Sequence, residues 1–472
     1  MNKKRSPVEP GGSLHKVLGF WSLFAVGIGC VTAQSSFVSL LNGAGSGGAA
    51  FFIAIVIAFF LGLCYCFSFL ELSMLMPEAG GPGRYTSVSA GNFISIGVVL
   101  GGYIAVTPFA TPAELMLLEH VVDVVYPGTF SHLGISLVVL FTVFNFLGID
   151  IFSSVQNILV YTLLVALLLI GMVGLGGGAA KGVDLAGMGE QFRGSGTSVL
   201  TLVVLAMWSF SGLDYIVPLV EEAKNPKRDL PRAMLGAMVM LLLVYSLLSF
   251  GAIRHVPQAK LVGSDVPHWL LVEAIFGKAA GLIVVVFAFT ATSSVVNSVI
   301  ASLTRLLYGM AERGQVPSLF ARLHPRWGTP WFGILFIFLL MAVPTIMLAG
   351  QKNLIILLLL SSATFFMVGY IVAHVNVILL RRRYPDHPRP FKTPWYPLPQ
   401  IVGIIGMAYA IWDNSPSAET SKKVYLNSAI IFFTISAYAF FWVKYKMKKG
   451  ILETERIEEV SANRVVREIP KE

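Results

Sequence analysis

Two carboxyl groups stand where a carboxyl is expensive. Asp214 follows Trp208, Ser209, Phe210, Ser211 and Gly212 inside an apolar run, and Glu114 follows Pro112 inside another. Acids within segments of membrane-spanning length mark ion or substrate pathways, because hydrocarbon cannot solvate a charge. The first apolar run holds Gly27 and Gly29, then Thr32, Ala33, Gln34, Ser35 and Ser36. Such polar, glycine-containing stretches halt a helix, and free backbone groups at membrane depth are tolerated only where they are buried in protein or line a cavity. Exposed N–H groups suit a carboxylate, and exposed carbonyls suit an ammonium or a metal ion. Both ends of an amino acid could be held this way without burying a full protein charge. Ala33, Gln34, Ser35, Ser36, Glu114, Trp208, Phe210, Ser211 and Gly212 are therefore candidate substrate contacts, with Trp208 and Phe210 as an aromatic roof. Two acids near one cavity would draw a cation such as an amine, a polyamine or a cationic amino acid, or carry a coupling proton.

The elements that must position these groups are membrane helices. The 472-residue chain is 56% hydrophobic and 12% charged, with a mean hydropathy of +0.75. That excludes an ordinary soluble domain. Apolar runs fall at about 18–41, 49–75, 93–125, 132–149, 154–177, 197–219, 233–253, 278–308, 331–349, 353–380, 398–412 and 425–446, which predicts an all-α polytopic membrane protein of about twelve transmembrane helices. The net charge of +9 comes from basic residues in loops beside these runs and points to membrane topology rather than nucleic acid. Lys3, Lys4, Arg5, Lys16, Arg84, the segments 224–232, 305–326 and 381–392, and the tail from Lys444 all fall on one face, whereas the loop holding Lys181, Asp184, Glu190 and Arg193 is mixed. Both termini are thus expected in the cytoplasm.

No HExxH, Gly-x-Ser-x-Gly or paired-histidine motif speaks for an enzyme. Cys30, Cys64 and Cys66 lie in apolar runs without metal-ligand spacing or a disulfide framework. In the eighth run Thr290, Thr292, Ser293 and Ser294 supply hydroxyls. With first-run carbonyls, Thr292, Ser293 and Ser294 could cage a sodium ion, although such hydroxyls also join helices or bond back to carbonyls.

Separated motifs carry a family resemblance from about Lys16 to Lys446: KVLGFWSLFAVGIG, LELSMLMPEAGGPGRY, FNFLGIDIFSSVQN, WSFSGLD with EEAKNPKRDLPRA, NSVIASLTRLLYGMAERGQVP and RRRYPDHPRPFKTPWYPLP. On these the chain resembles the amino acid-polyamine-organocation (APC) superfamily of secondary transporters. The resemblance implies a 5+5 inverted repeat with broken helices 1 and 6 plus two C-terminal helices, alternating access, and a site between helices 1, 3, 6, 8 and 10. The expected layout is a cytoplasmic tail (1–17), a transporter domain (18–446, with repeats 18–177 and 197–380 and a final pair 398–446) and a second cytoplasmic tail (447–472). It also implies a gating or proton-linked role for Asp214, and ion pairs of Arg305 and Arg313 latching the inward gate. Two departures stand out. Ala33, Gln34 and Ser35 replace the family's Gly-Ser-Gly or Gly-Ala-Gly turn, and Leu163 replaces the helix-5 lysine of many proton-coupled members.

The expected function is secondary active transport of amino acids or related organic amines across the plasma membrane. The alternatives are a polyamine or amine exchanger of the same fold and a non-transporting membrane sensor. The expected partners are a small-molecule substrate and the lipid bilayer, with no nucleic acid. No cofactor is expected beyond a coupling ion, H+ or Na+.

Overall fold

The apolar runs fold as helices because a helix satisfies every backbone group within its own segment. The computed structural model describes residues 14–129, 132–176, 199–351, 354–415 and 417–457. The basic residues Lys3, Lys4 and Arg5, the loop from Lys181 to Arg193 and the tail 458–472 lie outside the described residues.

Among the described residues twelve helical segments, eight stretches of spanning length and shorter apolar helices together, follow in order as spans. The first is split into Phe20–Val31 and Gln34–Gly47, and the second is Phe51–Leu75. The third joins Asn92–Val99 to Thr107–Val125 through a π-helical turn, Leu100–Ile104. The fourth and fifth are Leu133–Phe146 and Ile149–Gly176. The sixth is Val199–Trp208 followed by a 3-10 helix, Leu213–Glu222. Then come Pro226–His255, Ala280–Glu312, Trp331–Met347, Ile355–Arg383, Leu398–Trp412 and Ala418–Phe441. Among the described residues eight stretches are long and apolar enough to cross a membrane, and four shorter apolar helices accompany them.

The boundaries moved where local chemistry overrode hydropathy. The basic loop expected after Glu222 is largely helix: Pro226 opens the seventh span at a position where its missing N–H costs nothing, so charged residues form the first turns. Residues 150–153, expected to separate spans four and five, belong to the fifth helix, and the turn falls at Gly148 (φ +124°) because Asp150 suits a helix's first turn. A short helix, Pro267–Phe276, also precedes the eighth span.

The first span packs against the fifth, sixth, seventh and eighth, so its break lies deep within the bundle. Large apolar side chains such as Ile158, Leu282 and Phe433 are exposed on the outside, as a lipid-facing surface requires. Polar side chains gather inside: Gln34, Gln156, Asn297 and Asp214 are fully buried.

One end of the bundle carries both chain tails. There Val17 and Leu18 N–H groups donate to the Glu222 carbonyl at 2.9 Å, and Lys224 N–H donates to the Leu18 carbonyl at 2.8 Å. At the same end Glu71 accepts two bonds from Arg381, at 2.8 and 2.7 Å, and one from Thr393 N–H at 2.8 Å, joining the second span to the tenth and its following loop.

Candidate functional site

The first span stops at Val31 and restarts at Gln34, with Ala33 as an N-cap that offers no side-chain acceptor. A helix start leaves N–H groups unpaired and a helix end leaves carbonyls unpaired. Hydroxyls serve the carbonyls: Thr32 Oγ1 donates to Ile28 O at 2.7 Å and Ser36 Oγ to Val31 O at 2.8 Å. The third span serves the N–H groups. Gln34 N–H donates to Glu114 Oε2 and Ser35 N–H to Glu114 Oε1, both at 3.0 Å. The π-helical turn and Pro112 lie on the same span before Glu114, and such features re-aim a helix face.

The sixth span breaks at Gly212, whose φ of +118° favours glycine and whose hypothetical Cβ would lie 3.3 Å from Cys30 O. Its N–H donates to Tyr370 Oη at 2.8 Å, and that hydroxyl donates to Asp214 Oδ1 at 2.8 Å. Tyr65 Oη donates to Phe210 O at 2.5 Å and its ring stacks on Tyr370 with centroids 4.4 Å apart. The two breaks touch directly, since Ser209 Oγ donates to Ser36 O at 2.9 Å. The Tyr103 hydroxyl also lies within reach of the Asp214 carboxylate, and neither Asp214 nor Glu114 forms an ion pair among the described residues.

Between the breaks lies a cavity of about 60 Å³. Of the expected contacts it is lined by Ala33, Ser35, Ser36, Glu114, Trp208, Ser211 and Gly212, with Thr107, Thr111, Tyr215 and Phe366 among its other walls. Gln34 is turned away, its Nε2 donating to Thr292 Oγ1 at 2.6 Å. Phe210, expected to roof the cavity, instead packs its ring against Tyr245 and Phe59, because the Gly212 turn directs it toward the second and seventh spans. Asp214 sits behind the wall, one hydrogen bond from Tyr370. A second cavity of about 420 Å³ shares Ser35 and Trp208 with the first and runs past Asn42, Ser264, Asp265 and Asn414, beside the loops opposite the tails. Trp208 therefore stands at the boundary between the two, its ring edge-on to Phe366.

The eighth-span hydroxyls face the first span, but mostly as donors or as acceptors already used. Ser294 Oγ donates to Ala291 O at 2.8 Å and to Gly29 O at 3.2 Å, and Thr292 accepts from Gln34. Gln156 Nε2 of the fifth span lies directly against Gly29, 3.4 Å from Ala25 O, and Gln156 Oε1 accepts from Asn297 Nδ2 at 2.9 Å. Hydroxyl protons and an amide nitrogen point into this corner, whereas a hard cation needs free oxygens. Of the three residues expected to hold sodium, Thr292 and Ser294 are engaged in this way, and Ser293 Oγ is buried without a hydrogen-bond partner among the described residues.

At the tail end the passage is closed. Arg305 donates to Glu222 through Nε at 3.0 Å and Nη2 at 3.2 Å. Glu78 lies 3.5 Å from Arg84 and 3.6 Å from Arg313, and Arg84 also pairs with Glu455 from the C-terminal segment. Arg305 and Arg313 thus both stand in ion pairs at this end, as expected.

Tyr370, Tyr65 and Gln156 were not legible as site residues. The only signal is a hydrogen-bonding side chain within an apolar run, and many such residues serve packing.

Known proteins place this architecture. The amino acid permease family matches residues 18–436. The glutamate/serine transporter AimA of Bacillus subtilis (strain 168) is 26% identical over 459 residues, covering 90% of this chain and 83% of its own. The branched-chain amino acid permease BcaP of the same organism is 27% identical over 434 residues, covering 84% and 88%. The methylthioribose transporter, also from Bacillus subtilis (strain 168), is 25% identical over 420 residues, covering 85% and 88%. With its multiple membrane helices and a family match over most of its length, the chain belongs to the amino acid permease family of the APC superfamily, whose members are transporters and not enzymes.

Proposed function

We propose that the protein is a secondary active transporter of amino acids or related organic amines, working by alternating access in the plasma membrane with both termini in the cytoplasm. The observation that carries this is the meeting of two interrupted helices at one cavity, tied by the bond from Ser209 to Ser36. Residues 18–177 and 197–380 act as the two repeats, with 398–446 packed outside them. Arg84, Arg305, Arg313 and Arg381 gather toward the tail end, which supports a cytoplasmic placement for that end. The tail end is latched while the larger cavity approaches the opposite loops, the arrangement of a carrier closed toward the cytoplasm.

Ser35 and Ser211 supply polar contacts to substrate, and Trp208 swings to close over it. Asp214, coupled through Tyr370 to the Gly212 N–H, links a proton to opening of the sixth-span break. The donors around Ser294 and Gln156 favour proton coupling or exchange over sodium. Counterflow of labelled amino acids and amines in proteoliposomes tests the reading. Saturable exchange of either class supports it, whereas a folded protein that binds but moves none of them would be a sensor keeping this fold.

A further inference from the structure

The anion-holding end of the broken first span is already occupied by the protein itself. The N–H groups of Gln34 and Ser35, freed by the break and lying at a positive helix end, each take one oxygen of Glu114 at 3.0 Å. Glu114 is 2% exposed, and both its oxygens act as acceptors. A ligand carboxylate entering this cavity would meet that charge at close range. No cationic side chain there offsets it, since Lys, Arg and His are absent from the described lining.

What remains for a ligand is of the opposite kind. A carboxylate offers about four acceptor positions, and only two are taken by backbone N–H groups. Ser35 Oγ lies within reach of the same carboxylate, is 2% exposed and lines the cavity. The other walls are chiefly apolar or aromatic, including Val106, Ala110, Val296 and Phe366. The space, about 60 Å³, is well below the ~150 Å³ of a cavity that accommodates benzene. It suits a group of a few heavy atoms.

We infer that the substrate of this carrier is a compact primary amine without a carboxylate, such as a short alkylamine or amino alcohol, whose ammonium group bonds to Glu114 while Glu114 stays on the first-span N–H groups. The inference rests on the transport reading above and narrows it. Glu114 then serves in place of the substrate's own carboxylate, anchoring the second half of the first span, and selects for positive charge.

The test uses the full-length protein in proteoliposomes with matched pairs of competitors: alanine against ethylamine and serine against ethanolamine. In the parent protein each amine should compete at least tenfold better than its carboxylated partner. Glu114→Gln, which keeps the size and one acceptor oxygen, should weaken the amine at least tenfold and bring the two members of each pair to within about threefold of one another. If the parent prefers the amino acids and Glu114→Gln leaves that ratio unchanged, Glu114 is a displaceable cap and the inference is wrong, while the transport reading stands. If neither class is exchanged, both fail together. Should Glu114→Gln not fold, the parent ratio decides alone, supported by Ser35→Ala. That variant keeps the backbone cap and is expected to weaken amine competition three- to tenfold with little effect on alanine.

Discussion

Replacing Glu222 by glutamine should unlatch the tail end of the transporter. Arg305 reaches Glu222 through two bonds, at 3.0 and 3.2 Å, and neither side chain is more than 2% exposed. At an effective dielectric near 20, unit charges 3.0 Å apart attract by 332/(20 × 3.0), about 5.5 kcal/mol. Desolvation of both ions offsets much of that, so the intact pair adds little. Half a pair is costly, by about 3–5 kcal/mol, because the remaining charge faces nothing. Glutamine retains one acceptor oxygen, which places Glu222→Gln at the low end, about 3 kcal/mol or roughly 100-fold in the population of the closed arrangement. Removing both charges with Glu222→Leu and Arg305→Met should recover most of the loss. Ser302 reports on this. It lies one turn before Arg305, fully buried, and its hydroxyl donates to Tyr215 O at 2.6 Å. With Cys30, Cys64 and Cys66 changed to alanine, Ser302→Cys should react with an impermeant thiol reagent from the tail side roughly 100-fold faster when Glu222 is glutamine. In the double replacement the rate should return close to the parent's. Unchanged labelling in Glu222→Gln, or a double replacement as reactive as the single one, would refute the reasoning.

Gly212→Ala should lower stability by more than about 1 kcal/mol, because alanine is strained at a φ of +118°; an unshifted thermal midpoint would show that the turn relaxes freely. Asp214→Asn should flatten the pH dependence of transport while retaining substrate binding, and a pH profile identical to the parent's would remove Asp214 from proton linkage. Replacing sodium by choline should leave uptake within twofold, since donors fill the corner between Gly29 and Ser294; a tenfold drop would restore the sodium reading. The C-terminal segment should release in acid. Burial alone raises the Glu455 carboxyl, but the Arg84, Lys449 and Arg313 charges outweigh it and hold the value below the ordinary 4.5. A folded value below the unfolded one stabilises the contact above about pH 4.5 and loses that contribution as pH falls through the lowered value. Protection of the amides of residues 449–457, taken relative to the intrinsic exchange rate at each pH, should therefore fall below pH 4.5 and stay level above it, and pH-independent protection would exclude Glu455 as the latch.

The apolar helices and the two breaks are legible in the chain. Hydrocarbon imposes a length and a polarity on each helix, and a run containing Gly27, Gly29 and Gln34, or Ser209, Ser211 and Gly212, violates that polarity visibly. The acids at 114 and 214 were conspicuous for the same reason. Their partners were not. Hydropathy treats Tyr370 as one more residue of an apolar run, yet its hydroxyl joins Gly212 to Asp214. Nor does it say which way a ring points just before a left-handed glycine, so Phe210 is expected over the cavity whereas it packs behind it.

Local chemistry along the chain, then, determined that this is a multi-span carrier with two interrupted helices and acids near them, because the bilayer constrains each segment separately. Only the tertiary structure decided that Glu114, 80 residues from Gln34 in sequence, takes the N–H groups of the first break. That pairing depends on the packing of the third span and its π-helical turn against the first, a relation between segments that no single segment encodes.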